Sequence, residues 1–292
     1  MPELKIGFVP NDNNANYIKE LLVKKLNQWK LSSPGMEINA ALSEVNNQDW
    51  VHNLLSEEKD VICVPFSLID NSITHELKTF ALFSMEKNPS CIYCSLPVFD
   101  QTEDLRLKKG SRIGVNNPVQ AAQIKHLNPD VDCKVIPEKN DLLLKFESGE
   151  LDAFLSESNT LKPNNTTDLQ IIPLHPDEFI ENTGSDKLVL IAHRESEKWM
   201  KMLYPVFHEK ILTVCSNVER TISKHFGNLT NHVVKVRCTQ DHKNFFHVKA
   251  VMINQVTSTY FEYKMSQSTH HQIAEKMIYV LSEYVHNNLK MI

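Results

Sequence analysis

The chain has 292 residues, too many for one ordinary core and suited to two or three domains. Hydrophobic residues make up 41% and charged residues 23%, which excludes a disordered or fibrous class. A formal charge of −5 lacks the basic footprint of a nucleic-acid binder, and no apolar run approaches the roughly 20 residues of a membrane-spanning helix.

The chain enters a strand-like run, Lys5 to Val9, almost at once, without the charged-then-apolar layout of a secretory leader, so a cytoplasmic setting is expected. A polar turn follows, then a helix with Ile18, Leu21, Leu22 and Leu26 on its apolar face. A second strand (Glu37 to Leu42), a short helix (Trp50 to Leu55) and a third strand (Val61 to Val64) continue an alternation that predicts a mostly parallel sheet. From Gly110 the pattern restarts: strand Arg112 to Val115, helix Pro118 to His126, strand Cys133 to Ile136, helix Asp141 to Glu147, strand Ala153 to Leu155. A strand at Leu188 to Ala192 follows. Beyond Arg194 the reading is α+β, with helices between Glu197 and Phe226, three strands within 233–265, and a closing helix bearing Ile273, Met277, Ile278, Leu281 and Val285 on one side.

The expected fold is therefore α/β, with two α/β domains followed by a C-terminal α+β domain.

Several residue types are informative by their scarcity or spacing. Seven glycines and no GxGxxG or GxxxxGK[ST] leave little material for a phosphate cradle. Just five arginines occur: Arg106, Arg112, Arg194, Arg220 and Arg237. Six scattered cysteines read as reduced thiols, and Cys91 and Cys94 as strand-core residues rather than a redox or metal pair. Thirteen histidines show no metal-ligand spacing, and His270 and His271, adjacent on the expected closing helix, cannot both face one ligand, so no metal is expected.

The run from Gly110 through Arg112-Ile113-Gly114 to Ala122-Gln123-Ile124 is similar, without a gap, to the G-x-R-I-G-T-S-S-L-R-R-x-A-Q-L segment of the porphobilinogen deaminase (hydroxymethylbilane synthase) family. Phe146 to Ala153 resembles its L-D-x-G-E-F-D-A, Leu161-Lys162 falls at its G-L-K-R, Glu178-Phe179-Ile180 resembles its E-E-F-L, and Val218-Glu219-Arg220 its A-E-R. The resemblance covers most of residues 5 to 254, in order, and implies the family's three-domain body: two periplasmic-binding-protein-like α/β domains with a cleft between them, expected at 1–98 with 175–194 and at 99–174, plus a C-terminal α+β domain at 195–292.

The same resemblance implies what is missing. The family ties a dipyrromethane primer to a loop cysteine; here Thr230 takes that place, and a hydroxyl does not replace the thiol. No dipyrromethane cofactor is therefore expected. The family's catalytic aspartate falls at Asp70, in Phe66-Ser67-Leu68-Ile69-Asp70, where Phe and Ile replace the family's His and Lys; a turn-capping aspartate is the alternative. Arginines that clasp substrate carboxylates are replaced by Val9, Val119 and Gln120. At roughly 1.5–3 kcal/mol per hydrogen bond to a charged group, such losses leave a polyanionic chain unheld.

What remains at the expected cleft is Asn11, Asn116, Asn117 and Gln120, able to hydrogen-bond a neutral or smaller ligand, although Asn also favours strand-to-helix turns. The sequence thus points to a catalytically silent family relative that binds an unidentified small molecule or a protein partner. Two alternatives stand beside it: a divergent hydroxymethylbilane synthase using Asp70 and a relocated thiol such as Cys238, and a small-molecule-binding protein of the periplasmic-binding superfold.

Overall fold

A computed structural model describes residues 3–10, 15–32, 39–69, 74–85, 89–157, 169–181 and 184–289. In chain order the elements open with β1 (Leu4–Phe8), α1 (Ala15–Ser32), β2 (Ala40–Glu44), α2 (Trp50–Leu55), β3 (Val61–Pro65) and β4 (Leu77–Ser84). There follow β5 (Ser90–Ser95), β6 (Arg112–Val115), α3 (Pro118–Leu127), β7 (Asp132–Val135), α4 (Lys139–Glu147), β8 (Ala153–Glu157) and β9 (Leu169–Pro173). The chain closes with β10 (Lys187–His193), α5 (Glu197–Phe207), α6 (Lys210–Phe226), β11 (His232–Gln240), β12 (Phe246–Asn254), β13 (Tyr260–Gln267) and α7 (Ile273–Leu289). Among the described residues no helix is long and apolar enough to cross a membrane.

Contacts group the chain into two compact units, 1–87 with 184–217 and 88–183 with 218–292. The expected boundaries set 195–292 apart and placed 175–183 with the first domain; the contacts assign 184–217 to the first unit and both 175–183 and 218–292 to the second.

The first unit holds a five-stranded sheet in the order β2-β1-β3-β10-β4. β1 pairs in parallel with β2 and β3, and β10 runs antiparallel to β3 and β4. Four strands share one direction and one is reversed. β3 is buried along its whole length and β10 over six of its seven residues, which is why both read as unbroken apolar runs rather than as alternations. On one face α1 lays down Ile18, Leu22, Leu26 and Trp29, a stripe at helical spacing, beside Phe83 and Phe207, whose rings meet edge-on at 5.1 Å.

The second unit repeats the arrangement as β7-β6-β8-β5-β9, with β6 parallel to β7 and β8 and with β5 reversed between β8 and β9. It also contains an antiparallel meander, β11-β12-β13, with α7 against β12 and β13. Every residue of β12 from Val248 to Ile253 is buried, because both faces are covered. Val251 and Ile253 pack on Val119, Ala122 and Ile180, and the His126 ring of α3 stacks on Tyr260 at 4.0 Å.

The segment 175–181 seals this seam. Gln123, 1% exposed, donates to the Ile180 carbonyl (3.1 Å) and accepts from its amide (2.9 Å). Arg237 pairs with Asp177 at 2.9 Å, and the Lys249 ammonium donates to the Asp177 carbonyl at 2.6 Å.

Candidate functional site

In sheets of this kind a ligand is met outside the carboxyl ends of parallel strands, where the strand order reverses on either side of a central strand. The sheet orders put those points at the ends of β1 and β3 in the first unit and of β6 and β8 in the second.

In the second unit β6 runs out at Val115 into Asn116, Asn117 and α3. Asn117 is the N-cap of α3: its Oδ1 accepts from the Gln120 amide at 2.9 Å, and Pro118 takes the first helical position, where an N–H would have no partner. The Gln120 Oε1 accepts in turn from the Asn116 amide at 2.8 Å. Asn116 Nδ2 donates to the carbonyls of Ile136 (3.2 Å) and Pro137 (3.3 Å), fixing the exit of β7. Three residues expected to face a ligand are thus brought together, but much of their hydrogen-bonding capacity closes the turn. Asn117 stays exposed and Asn116 and Gln120 half-buried, with amide donors of Asn117 and Gln120 uncommitted among the described residues.

In the first unit the Val9 amide donates to the Cys63 carbonyl at 2.9 Å, and the Val9 side chain is fully buried against the core beside Val64 and Trp50. At the end of β3 a short 3₁₀ turn, Phe66–Leu68, turns the chain away. Phe66 lies against Gly184, where a Cβ would come within 2.5 Å of the ring and where φ is +76°. Only glycine fits both conditions. Asn11 and Asp70 lie outside the described residues.

The arginines are spent elsewhere. Arg112, at the opposite end of β6, clamps Asp152 through two contacts, Nε to Oδ2 at 2.9 Å and Nη2 to Oδ1 at 2.8 Å, and also donates to the Gly149 carbonyl. That bonding holds the Asp152 carboxyl below the usual range. Arg106 and Arg194 lie at the amino-end side of their sheets, since β5 and β10 run against the parallel strands; Arg220 is on α6 and Arg237 is paired with Asp177. None follows on the carboxyl end of β1, β3, β6 or β8.

Val119 is 7% exposed in the seam with Val251 and Ile253, so its position cannot present a polar group to a ligand without repacking. Thr230 is exposed in the turn before β11, its carbonyl 3.0 Å from His232 Nδ1. Cys238 is 5% exposed in β11, its amide donating to the buried Glu219 Oε1 at 2.8 Å. Cys91 and Cys94 contribute to different core clusters, as residues three apart on a strand must, and cannot form a pair. Burial pushes the Cys94 and Cys133 thiols up to about 11 and raises Cys63 further, so these sulfurs are protonated at neutral pH. His270 and His271 sit in the turn before α7 rather than on it as expected, with His270 in edge contact with Phe246.

No protein-family model matches the chain, and no curated protein matches it. Solved structures do. The second substrate-binding domain of a putative amino acid ABC transporter from Streptococcus pneumoniae aligns at TM-score 0.46 and 12% identity, covering 70% of this chain and 91% of that one. The unliganded, open L-cystine solute receptor of Neisseria gonorrhoeae aligns at 0.43 and 13%, covering 77% and 90%. The periplasmic VFT2 domain of Bordetella pertussis BvgS aligns at 0.37 and 12%, covering 70% and 86%. The strand orders define the fold class: α/β, two sheets of periplasmic-binding type, and a third, antiparallel sheet.

Proposed function

We propose that this chain is a small-molecule-binding protein, built on the body that porphobilinogen deaminases share, and that it does not carry out primer-dependent tetrapyrrole synthesis. The observation that carries the reading is the fate of the arginine positions: Val9 and Val119 are core residues, and Gln120 is drawn into the α3 cap. A growing pyrrole chain adds carboxylates with every unit, and nothing that follows the strand ends answers them with a guanidinium. Thr230, a hydroxyl at the primer position, and the burial of Cys238 support the absence of a tethered primer. What the α3 end offers instead is amide chemistry, which suits a neutral or zwitterionic ligand of modest size. Six free cysteines, five of them buried, go with a reducing, cytoplasmic setting.

The test is a thermal-shift panel of neutral, zwitterionic and polycarboxylate small molecules, with porphobilinogen included, run beside an assay for bilane formation. A neutral or zwitterionic compound is expected to raise the melting temperature in a concentration-dependent way, with porphobilinogen unconsumed. Bilane formation would refute the reading.

A further inference from the structure

The third sheet carries a hydrogen-bonded row that the reading above does not use. Asp241 opens the β11–β12 hairpin, its Oδ1 accepting from the amides of Lys243 (2.9 Å) and Phe245 (2.8 Å) and its Oδ2 lying 3.1 Å from His247 Nε2. The bond to His247, followed by those amides, holds the Asp241 carboxyl below its ordinary range, so it is an acceptor only. In the neutral imidazole Nε2 therefore carries the proton. Nδ1 is left with its lone pair toward Ser266 Oγ, 2.7 Å away.

The register explains the closeness. His247 stands directly opposite Ser266, and the Asn254 amide donates to the Thr259 carbonyl in the same strand pair. Alternation along an antiparallel pair then makes His247 and Ser266 a non-bonded pair, in which side chains approach most closely. It also turns the Ser266 N–H outward along β13, the edge strand of its sheet. Two residues along the same face, Arg237, Lys249 and Lys264 stand in register across all three strands, paired to two carboxylates, Asp177 and Glu262.

We propose that Ser266 is a nucleophile, His247 its general base, and Asp241 the positioning residue that fixes the imidazole tautomer, in a site for small esters bearing an anionic group. The Ser266 hydroxyl proton passes to His247 Nδ1 as Oγ bonds to the ester carbonyl carbon; the carbon–oxygen bond to the leaving alcohol breaks, and the alcohol departs with that proton. Water then cleaves the acyl-serine by the same route, giving the acid and free serine. The outward Ser266 N–H is the donor for the oxyanion, and Lys264, the most exposed cation of the row, meets the ester's anion. Ser266 is exposed, so an ester reaches it from solvent.

The full-length chain is treated with an alkyl fluorophosphonate and the adduct mapped by peptide mass spectrometry, alongside hydrolysis of 4-nitrophenyl acetate and 4-nitrophenyl succinate. An adduct on Ser266, absent in Ser266→Ala and at least tenfold slower in His247→Gln, is the expected result. Asp241→Asn, which can still cap the hairpin, is expected to slow labelling without moving the melting temperature, and Lys264→Gln to abolish the preference for succinate. A folded wild-type protein with no adduct on Ser266, or an adduct that forms equally fast in His247→Gln, overturns the proposal.

Discussion

An arginine at position 119 would have to place its guanidinium among Ala122, Ile180, Val251 and Ile253. Val119→Arg is therefore expected to cost roughly 3–5 kcal/mol, read from urea midpoints, because a buried charge without a partner is among the most destabilising changes. Glu262 makes a second residue-scale prediction. Burial opposes its ionisation, yet hydrogen bonds from Lys264, Lys249 and Tyr260 outweigh that and hold its pKa at about 2. Because the folded value lies below the unfolded one, the stabilisation is complete above roughly pH 5 and is lost as the pH falls from there toward 2. Urea melts of wild type and Glu262→Gln should differ most near neutrality and converge only below about pH 2; a constant difference would contradict the network.

At the scale of elements, the bond pair between Gln123 and Ile180 ties α3 to the segment between β9 and β10. Gln123→Leu leaves both backbone groups of Ile180 buried without partners and should cost about 2–3 kcal/mol in equilibrium unfolding. Gly184→Ala should cost about 1–3 kcal/mol, since it meets both a positive φ and the Phe66 ring. The short helix Trp50–Leu55 and the start of α3 were legible because Asn117-Pro118 is a cap signal and the apolar spacing is regular. β4 and β9 were not. β4 is exposed at Lys78 and Thr79 but continuously buried from Phe80 to Phe83, with its register to β10 shifting nearby, so it shows no period of two. β9 is a short edge strand with Ile171 about half exposed and a terminal proline. The insertion of β10 between β3 and β4, and of β5 between β8 and β9, depends on pairings far apart in sequence that leave no local mark.

For the whole molecule, the presence of a second α/β sheet was foreseeable from the restart of the alternation at Gly110, and the third sheet from the change beyond Arg194. The candidate site was legible only in part. Asparagine after a strand serves a helix cap and a ligand equally well, and it takes coordinates to see Asn117 on the Gln120 amide. The row Asp241, His247 and Ser266 was invisible, because it depends on cross-strand register. If the missing arginines matter as much as the missing thiol, Thr230→Cys, a change at an exposed loop position, should not confer porphobilinogen consumption. Whether the chain carries a primer is decided by the intact mass of the purified protein, followed by acid treatment with Ehrlich's reagent. The mass of the unmodified polypeptide and no colour are expected; an added dipyrrole mass with a positive pyrrole reaction would show instead a primer-bearing synthase.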